Sequence, residues 1–555
     1  MTQILGGHLV GKYLKEIAKV DTIFTISGGH IEAILDSFNE YKIRAIDVRH
    51  EQAAAMMAQA WSIYYGQAGV CLVTAGPGFT NALTGIANAY LDNAPLVVLC
   101  GRSPLRDDLK GALQEVNQMD MVKPITKWAA TCYDPKRIPE YLSLAFRNAL
   151  VGRPGPVFLE LPPDILSVKV PLNKVIMPTR MTRKYTVHPD DGDLNQAAEM
   201  INGAKKPIFI GGSGIGLSCC SIALNQFIER SGIPFFLMNY GRGELPDNHP
   251  LSLWDIGNVG LRLGITQADV IIAVGVRFNW LLQSANIPPQ TKVIRIDIDP
   301  REIARNREAD AGLVGDSASV LNQLLPLVKK ADHSAWVKIL RAASHAFIEP
   351  ELKLREKPSS PIHPIRLVAQ IQKAVGDDAV YVLDGGDTQY FGLVGFTSRE
   401  KAGVIAAAAG LFGCLGTGIP FAMAAKLARP DKKVVLLQGD GSFGFNSMEF
   451  DTMVRHNIPV VCIVNNDMAW GMIKHSQELS IGCDRLQCSE LGERHYEKMV
   501  EGLGGYGEFV TKDEDIIPAI KRAFESGRPS CINVMTDPTV TSPVTALFYQ
   551  SLRMD

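Results

Sequence analysis

The 555-residue chain has no surplus of basic charge: 56 Lys and Arg stand against 58 Asp and Glu, a formal net charge of −2. Without that surplus a surface cannot neutralise a phosphate backbone, which argues against a nucleic-acid or other polyanion binder. Long apolar runs are missing too. A stretch such as "VIIAVGVRF" has the length of a buried strand, not of a membrane span. The ten cysteines show no paired zinc-ligand spacing; most sit inside apolar runs (Cys71, Cys100, Cys462, Cys531), and Cys219 and Cys220 are adjacent. Reduced, buried thiols in a cytoplasmic protein are the expectation. The opening "MTQILGGHLVGKYLKEIAK" lacks the basic start, apolar centre and cleavage site of a secretory signal. Its spacing predicts the first amphipathic helix of a domain.

What is present is ordinary globular chemistry, with 46% apolar and 21% charged residues spread over more chain than one core can serve. Strand-like runs alternate with helical spacing throughout, the pattern of parallel sheets covered by helices. Periodicity fails twice, over Lys169–Asp193 and Ile348–Pro364, where Pro, Lys and Arg collect as they do in linkers. The expected organisation is therefore α/β, with three doubly wound parallel-sheet domains over residues 1–170, 190–330 and 360–555, the central one Rossmann-like.

Each part carries a strand that runs into a glycine-rich turn, and the most informative is "VVLLQGDGSFGFNSMEFDTMVRHNIPVVCIVNNDMAWGM", Val434–Met472. Two β-branched runs end in small polar residues, Gly439-Asp440-Gly441 and Asn465-Asn466-Asp467, on either side of a helical pattern of Met448, Phe450, Met453 and Val454. In doubly wound folds ligands sit beyond the carboxyl ends of the strands. A Gly-Asp-Gly turn there brings backbone N–H groups to a phosphate, but Asp440 and a phosphate would repel. A bridging Mg²⁺ with a second oxygen ligand from Asn466 or Asp467 resolves the conflict.

This layout resembles the cofactor motif of thiamine-diphosphate (ThDP) enzymes, a Gly-Asp-Gly followed by an Asn-Asn pair. In that family the metal ligands are the Asp, the second Asn and a backbone carbonyl two residues on. Spacing from Asp440 puts them at Asp467 and Ala469; a one-residue slip would make Asn466 the ligand instead. Asp in place of Asn keeps the oxygen and adds a charge. Gly439, Gly441 and Ser442, with Trp470, Gly471 and Met472 beyond, then line the cofactor. The resemblance also demands a carboxylate beside the aminopyrimidine, so that its imino tautomer can take the thiazolium C2 proton. "VRHEQAAAMMAQAW" supplies Glu51, at the start of an Ala/Met helix.

Further segments extend the likeness from Gly28 to Asn533, toward the acetolactate synthase branch. "TAGPGFTN" contains Gly76, Pro77, Gly78, Thr80 and Asn81; "ALQEVNQMDMVKPITKWA" places Gln114 where that branch has an active-site glutamine. In "AGLFGCLGTGIPFAMAAKLA", Gly413 falls at the carbonyl that accepts the 4′-amino hydrogen and Leu415 at the apolar wedge that bends the cofactor. "DGGDTQYF" puts Asp387 and Thr388 where acetolactate synthases carry Gln and His. Asp387 would repel the diphosphate, so Thr388 is the expected contact and Asp387 is expected to point elsewhere.

His30, in "ISGGHIEAILDSF", separates branches: acetolactate synthases usually carry Ala there, whereas benzaldehyde lyase and 2-hydroxyacyl-CoA lyases carry His. Leu113 stands where acetolactate synthases have Phe. A near-neutral imidazole beside the cofactor suits removal of the carbinol proton of a 2-hydroxy carbonyl compound. The resemblance thus implies a ThDP- and Mg²⁺-dependent carbon–carbon lyase or carboligase acting on 2-hydroxy ketones or 2-hydroxyacyl thioesters. Acetolactate synthase is the alternative. Glu51, His30 and Gln114 are the catalytic group, and His30, Leu113, Gln114, Trp470 and Met472 the substrate pocket. It further implies a homodimer or tetramer whose sites combine Glu51 of one subunit with the metal ligands of another.

The central "IGGSGIG" and "DIDP" suggest a nucleotide half-site that in relatives holds FAD, ADP or nothing, and nothing is the expectation here. The closing "TSPVTALFYQSLRMD", with Phe548 and Tyr549, is either a lid or a loose tail. A non-catalytic ThDP binder would be signalled by loss of Glu51, which is present. A nicotinamide dehydrogenase would want an acid some 20 residues beyond a Gly-x-Gly-x-x-Gly, and "LSCCSIALNQFIERSGIPFFL" offers none at a strand end.

Overall fold

The computed structural model describes residues 2–181, 186–254, 259–279, 282, 286–408, 410–543 and 545. Phe548 and Tyr549, in the segment read as either a lid or a loose tail, lie outside the described residues. The chain forms two compact units: residues up to 181 with 410–428 and 446–458, and the remaining described residues.

The first unit is built on a six-stranded sheet in the spatial order Arg44–Asp47, Thr22–Thr25, Gly69–Val73, Leu96–Gly101, Pro156–Leu161, Trp128–Thr131, with every neighbouring pair parallel. Its central strands are buried at every position, as strands covered by helices on both faces must be. The strand order reverses between Thr22–Thr25 and Gly69–Val73. The loops leaving those two strands, which carry Gly28–His30 and Thr74–Gly78, open on the crevice where such folds bind ligands.

The second unit holds two sheets. One has five parallel strands, ordered Phe235–Leu237, Pro207–Gly211, Val270–Val274, Lys292–Asp297, Ala311–Val314. The other has six, ordered Val404–Ala406, Ala379–Asp384, Lys433–Gly439, Val461–Asn466, Ser530–Met535, Tyr506–Val510, again all parallel. Reversal in this sheet falls between Ala379–Asp384 and Lys433–Gly439, so Gly385–Thr388 and Gly439–Ser442 flank its crevice. Three parallel α/β sheets are the expected fold class.

Local expectations fared unevenly. The N-terminal stretch opens with a strand, Gln3–Leu5, before its helix, Gly6–Lys12. That strand pairs antiparallel with Lys169–Pro171, so the first supposed linker begins as structure. The second begins inside a helix, since Ser334–Glu356 runs through Pro350 and stops only at Lys357. Tertiary packing there overrides the helix-breaking preference of proline. In the central turn, a Cβ at Gly212 would lie 2.5 Å from the Gly275 carbonyl, and one at Gly216 2.0 Å from that of Tyr240. These glycines admit the chain's own backbone and have a packing reason independent of any ligand.

Arg242 shows how the second unit is held. It is 2% exposed and donates to Asp247 (2.8 Å) and to the carbonyls of Phe396 (2.7 Å) and Leu393 (3.2 Å), with Trp254 stacked 3.7 Å from its guanidinium. Removing it takes the charged partner from the Asp247 carboxylate and a donor from the Phe396 and Leu393 carbonyls. Arg242→Ala should lower unfolding stability by about 3–5 kcal/mol, measured by urea denaturation; a loss under about 1 kcal/mol would contradict this account.

Candidate active site

In the first unit, Glu51 opens the helix Glu51–Tyr65, whose face of Ala53, Ala54, Ala55 and Ala58 allows close approach to the helix Pro77–Asp92. The Glu51 carboxylate is buried and accepts a 2.9 Å hydrogen bond from Asn81 Nδ2. Gly76 sits at φ +59°, open chiefly to glycine, and a Cβ at Gly78 would stand 3.4 Å from Glu51 Oε1. The structure therefore gathers Glu51, Gly76, Gly78 and Asn81 as the resemblance implied.

Sequence reasoning missed the group that anchors this helix start. Glu449, 1% exposed, accepts from the backbone N–H groups of Arg49 and His50 (3.0 Å each) and from Thr452 Oγ1 (2.6 Å), which caps the chain just ahead of Glu51. Burial holds its carboxyl above the usual carboxylate range, against the opposing pull of those donors. The expected apolar helix face is corrected accordingly: Met448 is 47% exposed, while Glu449, Phe450, Thr452 and Met453 are buried. An acid among apolar neighbours looks like a solvated face until its donors are seen.

His30 is half-buried, with Nδ1 3.3 Å from Thr74 Oγ1. It lines a cavity of about 480 Å³ together with Gly29, Pro104, Asp107, Lys110, Ala112, Leu113 and Pro163. Leu113 is 78% exposed at its edge. Gln114 is not part of that lining. It adopts φ +61° and backs onto the Gly76 turn, where an added Cβ would lie 2.8 Å from Gln114 Cβ. Gly413 (φ +61°) and half-buried Leu415 belong to this first unit, not to the sheet with which their sequence neighbours suggested they would pack. The helix that follows, Gly418–Ala428, lies against Glu51–Tyr65.

The second unit supplies the anionic half. Asp440 is 2% exposed; Oδ1 accepts from the Gly441 N–H at 3.0 Å, and buried Oδ2 has no hydrogen-bond donor among the described residues. Burial, and then the neighbouring Asp467 carboxylate, push Asp440 well above the usual carboxylate range. Asp467 is raised too, first by burial. Two carboxylates packed together with an orphaned oxygen are what a divalent cation would relieve. Among the described residues no group of three or more His, Cys, Asp or Glu is placed to hold a metal ion. The pair of buried oxygen-bearing acids fits a small divalent cation that completes its shell with non-protein oxygens.

Asn466 is committed elsewhere. Its Nδ2 donates to Asn533 Oδ1 (3.0 Å) and its Oδ1 accepts from the Met468 N–H (3.0 Å), fixing Met468 at φ +61° ahead of buried Ala469. That geometry favours Asp467 over Asn466 as second ligand. Gly439 and Ser442 close the turn, Ser442 Oγ donating to the Gly439 carbonyl (3.0 Å). Trp470 packs over Gly441, where a Cβ would be 2.6 Å from its ring, and Met472 packs against Gly386 at 2.7 Å by the same measure.

Thr388 Oγ1 accepts from Asn465 Nδ2 (2.8 Å) and lies 3.3 Å from where a Gly439 Cβ would be. Asp387 does point elsewhere. Its Oδ2 pairs with His475 Nδ1 (2.9 Å), and its Oδ1 accepts from the Ser542 N–H (3.2 Å). His475 Nε2 faces the Pro538 carbonyl (3.1 Å), so both ring nitrogens meet acceptors. Burial alone would lower this imidazole's pKa; Asp387 and Pro538 outweigh it and raise it. The motif shows no sign of this partner, which comes from a helix more than eighty positions away.

Family models match three stretches: the N-terminal TPP binding domain of thiamine pyrophosphate enzymes over residues 4–121, their central domain over 194–324, and their C-terminal TPP binding domain over 384–534. The chain belongs to the thiamine pyrophosphate enzymes. Within them it falls in the acetolactate-synthase-like group. It is 36% identical to the acetolactate synthase large subunit IlvG of Mycobacterium tuberculosis, with 97% of this chain and 96% of that protein covered. It is also 29% identical to 2-hydroxyacyl-CoA lyase 1 of Homo sapiens (97% and 96% covered) and 30% identical to 2-hydroxyacyl-CoA lyase of Arabidopsis thaliana (96% of each).

A Cβ at Gly471 would stand 2.1 Å from Asp467 Oδ2. Gly471→Ala should therefore displace that carboxylate and weaken Mg²⁺-dependent ThDP binding by about tenfold or more, read from quenching of tryptophan fluorescence on titration. Unchanged affinity would remove Asp467 from the ligand set.

Proposed function

We propose that the protein is a ThDP- and Mg²⁺-dependent carbon–carbon lyase or carboligase acting on 2-hydroxy ketones or 2-hydroxyacyl thioesters. The observation that carries this reading is His30 in the wall of the 480 Å³ cavity, with Leu113 at its rim. Asp440, Asp467 and the Ala469 carbonyl would hold Mg²⁺, with Gly439, Gly441, Ser442 and Thr388 around the diphosphate. Gly413 and Leu415 would seat the rings. When bound, the cofactor supplies a nucleophilic carbon that stabilises negative charge on the substrate's former carbonyl carbon.

The chain's own residues handle position and protons. Glu51, held by Asn81, exchanges a proton with the aminopyrimidine ring. His30 accepts the carbinol proton as the carbon–carbon bond breaks and returns it in the ligation direction. Gln114, which backs onto the Gly76 turn beside that cavity's wall, is the second group to handle protons on the substrate side. The reading also includes a cytoplasmic homodimer or tetramer, in which Glu51 from one subunit and the cation ligands of another share a cofactor. A second reading, acetolactate synthase, is favoured by the 36% identity to the mycobacterial enzyme, against 29% to the human lyase.

Carbon dioxide release from pyruvate by the ThDP- and Mg²⁺-loaded protein separates the two. Little release, with benzoin-type or 2-hydroxyacyl-CoA substrates cleaved, is the expected outcome; brisk release with acetolactate accumulating establishes the synthase. His30→Ala should slow cleavage of 2-hydroxy substrates about 100-fold while reducing 2-keto-acid decarboxylation far less. Equal losses would return His30 to a purely structural role. Glu51→Gln should keep ThDP bound and lower turnover at least about 100-fold, and normal turnover would overturn its assignment.

A further inference from the structure

Gln118 stands four positions beyond Gln114 in the same segment. It begins the short helix Gln118–Val122 and is 1% exposed. Its Oε1 accepts the Gly76 N–H at 3.0 Å, and its Nε2 donates to the Gly101 carbonyl at 3.1 Å and to Glu160 Oε1 at 2.9 Å. The orientation of the amide is settled by its neighbours, since a carboxylate and a carbonyl can only accept and an N–H can only donate. Glu160 is itself fixed: its Oε2 accepts from Thr131 Oγ1 at 2.6 Å and lies 3.6 Å from Arg102 Nη1.

The two backbone points that Gln118 grips lie directly behind the substrate-side groups. A Cβ at Gly76 would stand 2.8 Å from Gln114 Cβ, and one at Gly101 2.7 Å from His30 Cβ. Gly76 is in a left-handed conformation, with φ +59° and ψ −113°, and its amide faces Gln118. We propose that Gln118 is a positioning residue, whose amide fixes the spacing between Gly76 and Gly101 and thereby sets Gln114 and His30 against the substrate. This rests on the reading of those two side chains as the substrate-side groups. An apolar side chain of the same length would fill the space but leave an N–H and a carbonyl unpaired in the wall of the site. A carboxylate there would face Glu160 across a buried contact.

The test uses the full chain loaded with ThDP and Mg²⁺. Gln118→Met should fold and bind ThDP, lose hydrogen-exchange protection at the Gly76 amide by about tenfold, and lower kcat about 100-fold. The substrate is the preferred 2-hydroxy compound, or pyruvate if the second reading holds. Proton exchange at the cofactor C2, which reports Glu51, should stay within about twofold of wild type, a split that general loosening of the fold would not produce. Gln118→Glu should be the poorer enzyme, and adding Glu160→Gln should leave kcat well below wild type, because a carboxylate at 118 faces a donor at 160 again but still has none to give the Gly101 carbonyl. Wild-type kcat in Gln118→Met, parallel loss of C2 exchange, or full recovery in the double variant would overturn the proposal. A wild-type chain inactive on both substrate classes would instead sink the functional reading, and Gly76 exchange would still decide whether Gln118 holds the turn.

Discussion

Two carboxylates stand side by side where water is largely excluded, and much of the second unit is arranged around that cost. Asp440 and Asp467 come together because the strands Lys433–Gly439 and Val461–Asn466 are parallel neighbours that end level with one another, Gly439 opposite Asn465. Burial, and then the Asp467 carboxylate, raise the pKa of Asp440, and among the described residues its Oδ2 finds no donor. A divalent cation between them would convert the repulsion into attraction and so link its binding to local order. The surrounding glycines follow from the same crowding: Gly471 leaves room for the Asp467 carboxylate and Gly441 for the Trp470 ring.

Around both half-sites the fold uses buried polar side chains to hold backbone. Glu449 fixes the amides ahead of Glu51, and Asn533 holds Asn466, which in turn holds the left-handed turn at Met468. The Asp387–His475 pair anchors the start of the helix Asp387–Gly395. Each such group is expensive to bury alone and nearly free once all its bonds are made, so these networks specify one arrangement of the loops. Loops at strand ends would otherwise be the least constrained parts of an α/β fold.

Much of this was legible from residue order. Alternating strand and helix patterns imply parallel sheets, and parallel sheets place their ligands at switch points. Gly-Asp-Gly, the Asn-Asn-Asp run and "RHE" therefore pointed to the crevices that the structure displays. Glu449 and Gln118 were not legible: each looks like a solvated helix residue, and only long-range donors and acceptors make them internal. Pro350 misled in the opposite direction, because packing carried the helix through it.

The sequence alone determined which elements form and which chemical groups sit at strand ends, because both depend on short-range periodicity and on the residue types that turns require. Only the tertiary structure decided which groups meet. It turned Asp387 toward His475, tied up Asn466 and left Asp467 beside Asp440, and set His30 rather than Gln114 on the cavity wall. It also packed residues 410–428 and 446–458 into the first unit, although the chain on either side of them belongs to the second. Pairing of buried polar groups is settled by contacts between residues distant in the chain, and spacing along the sequence carries no record of them.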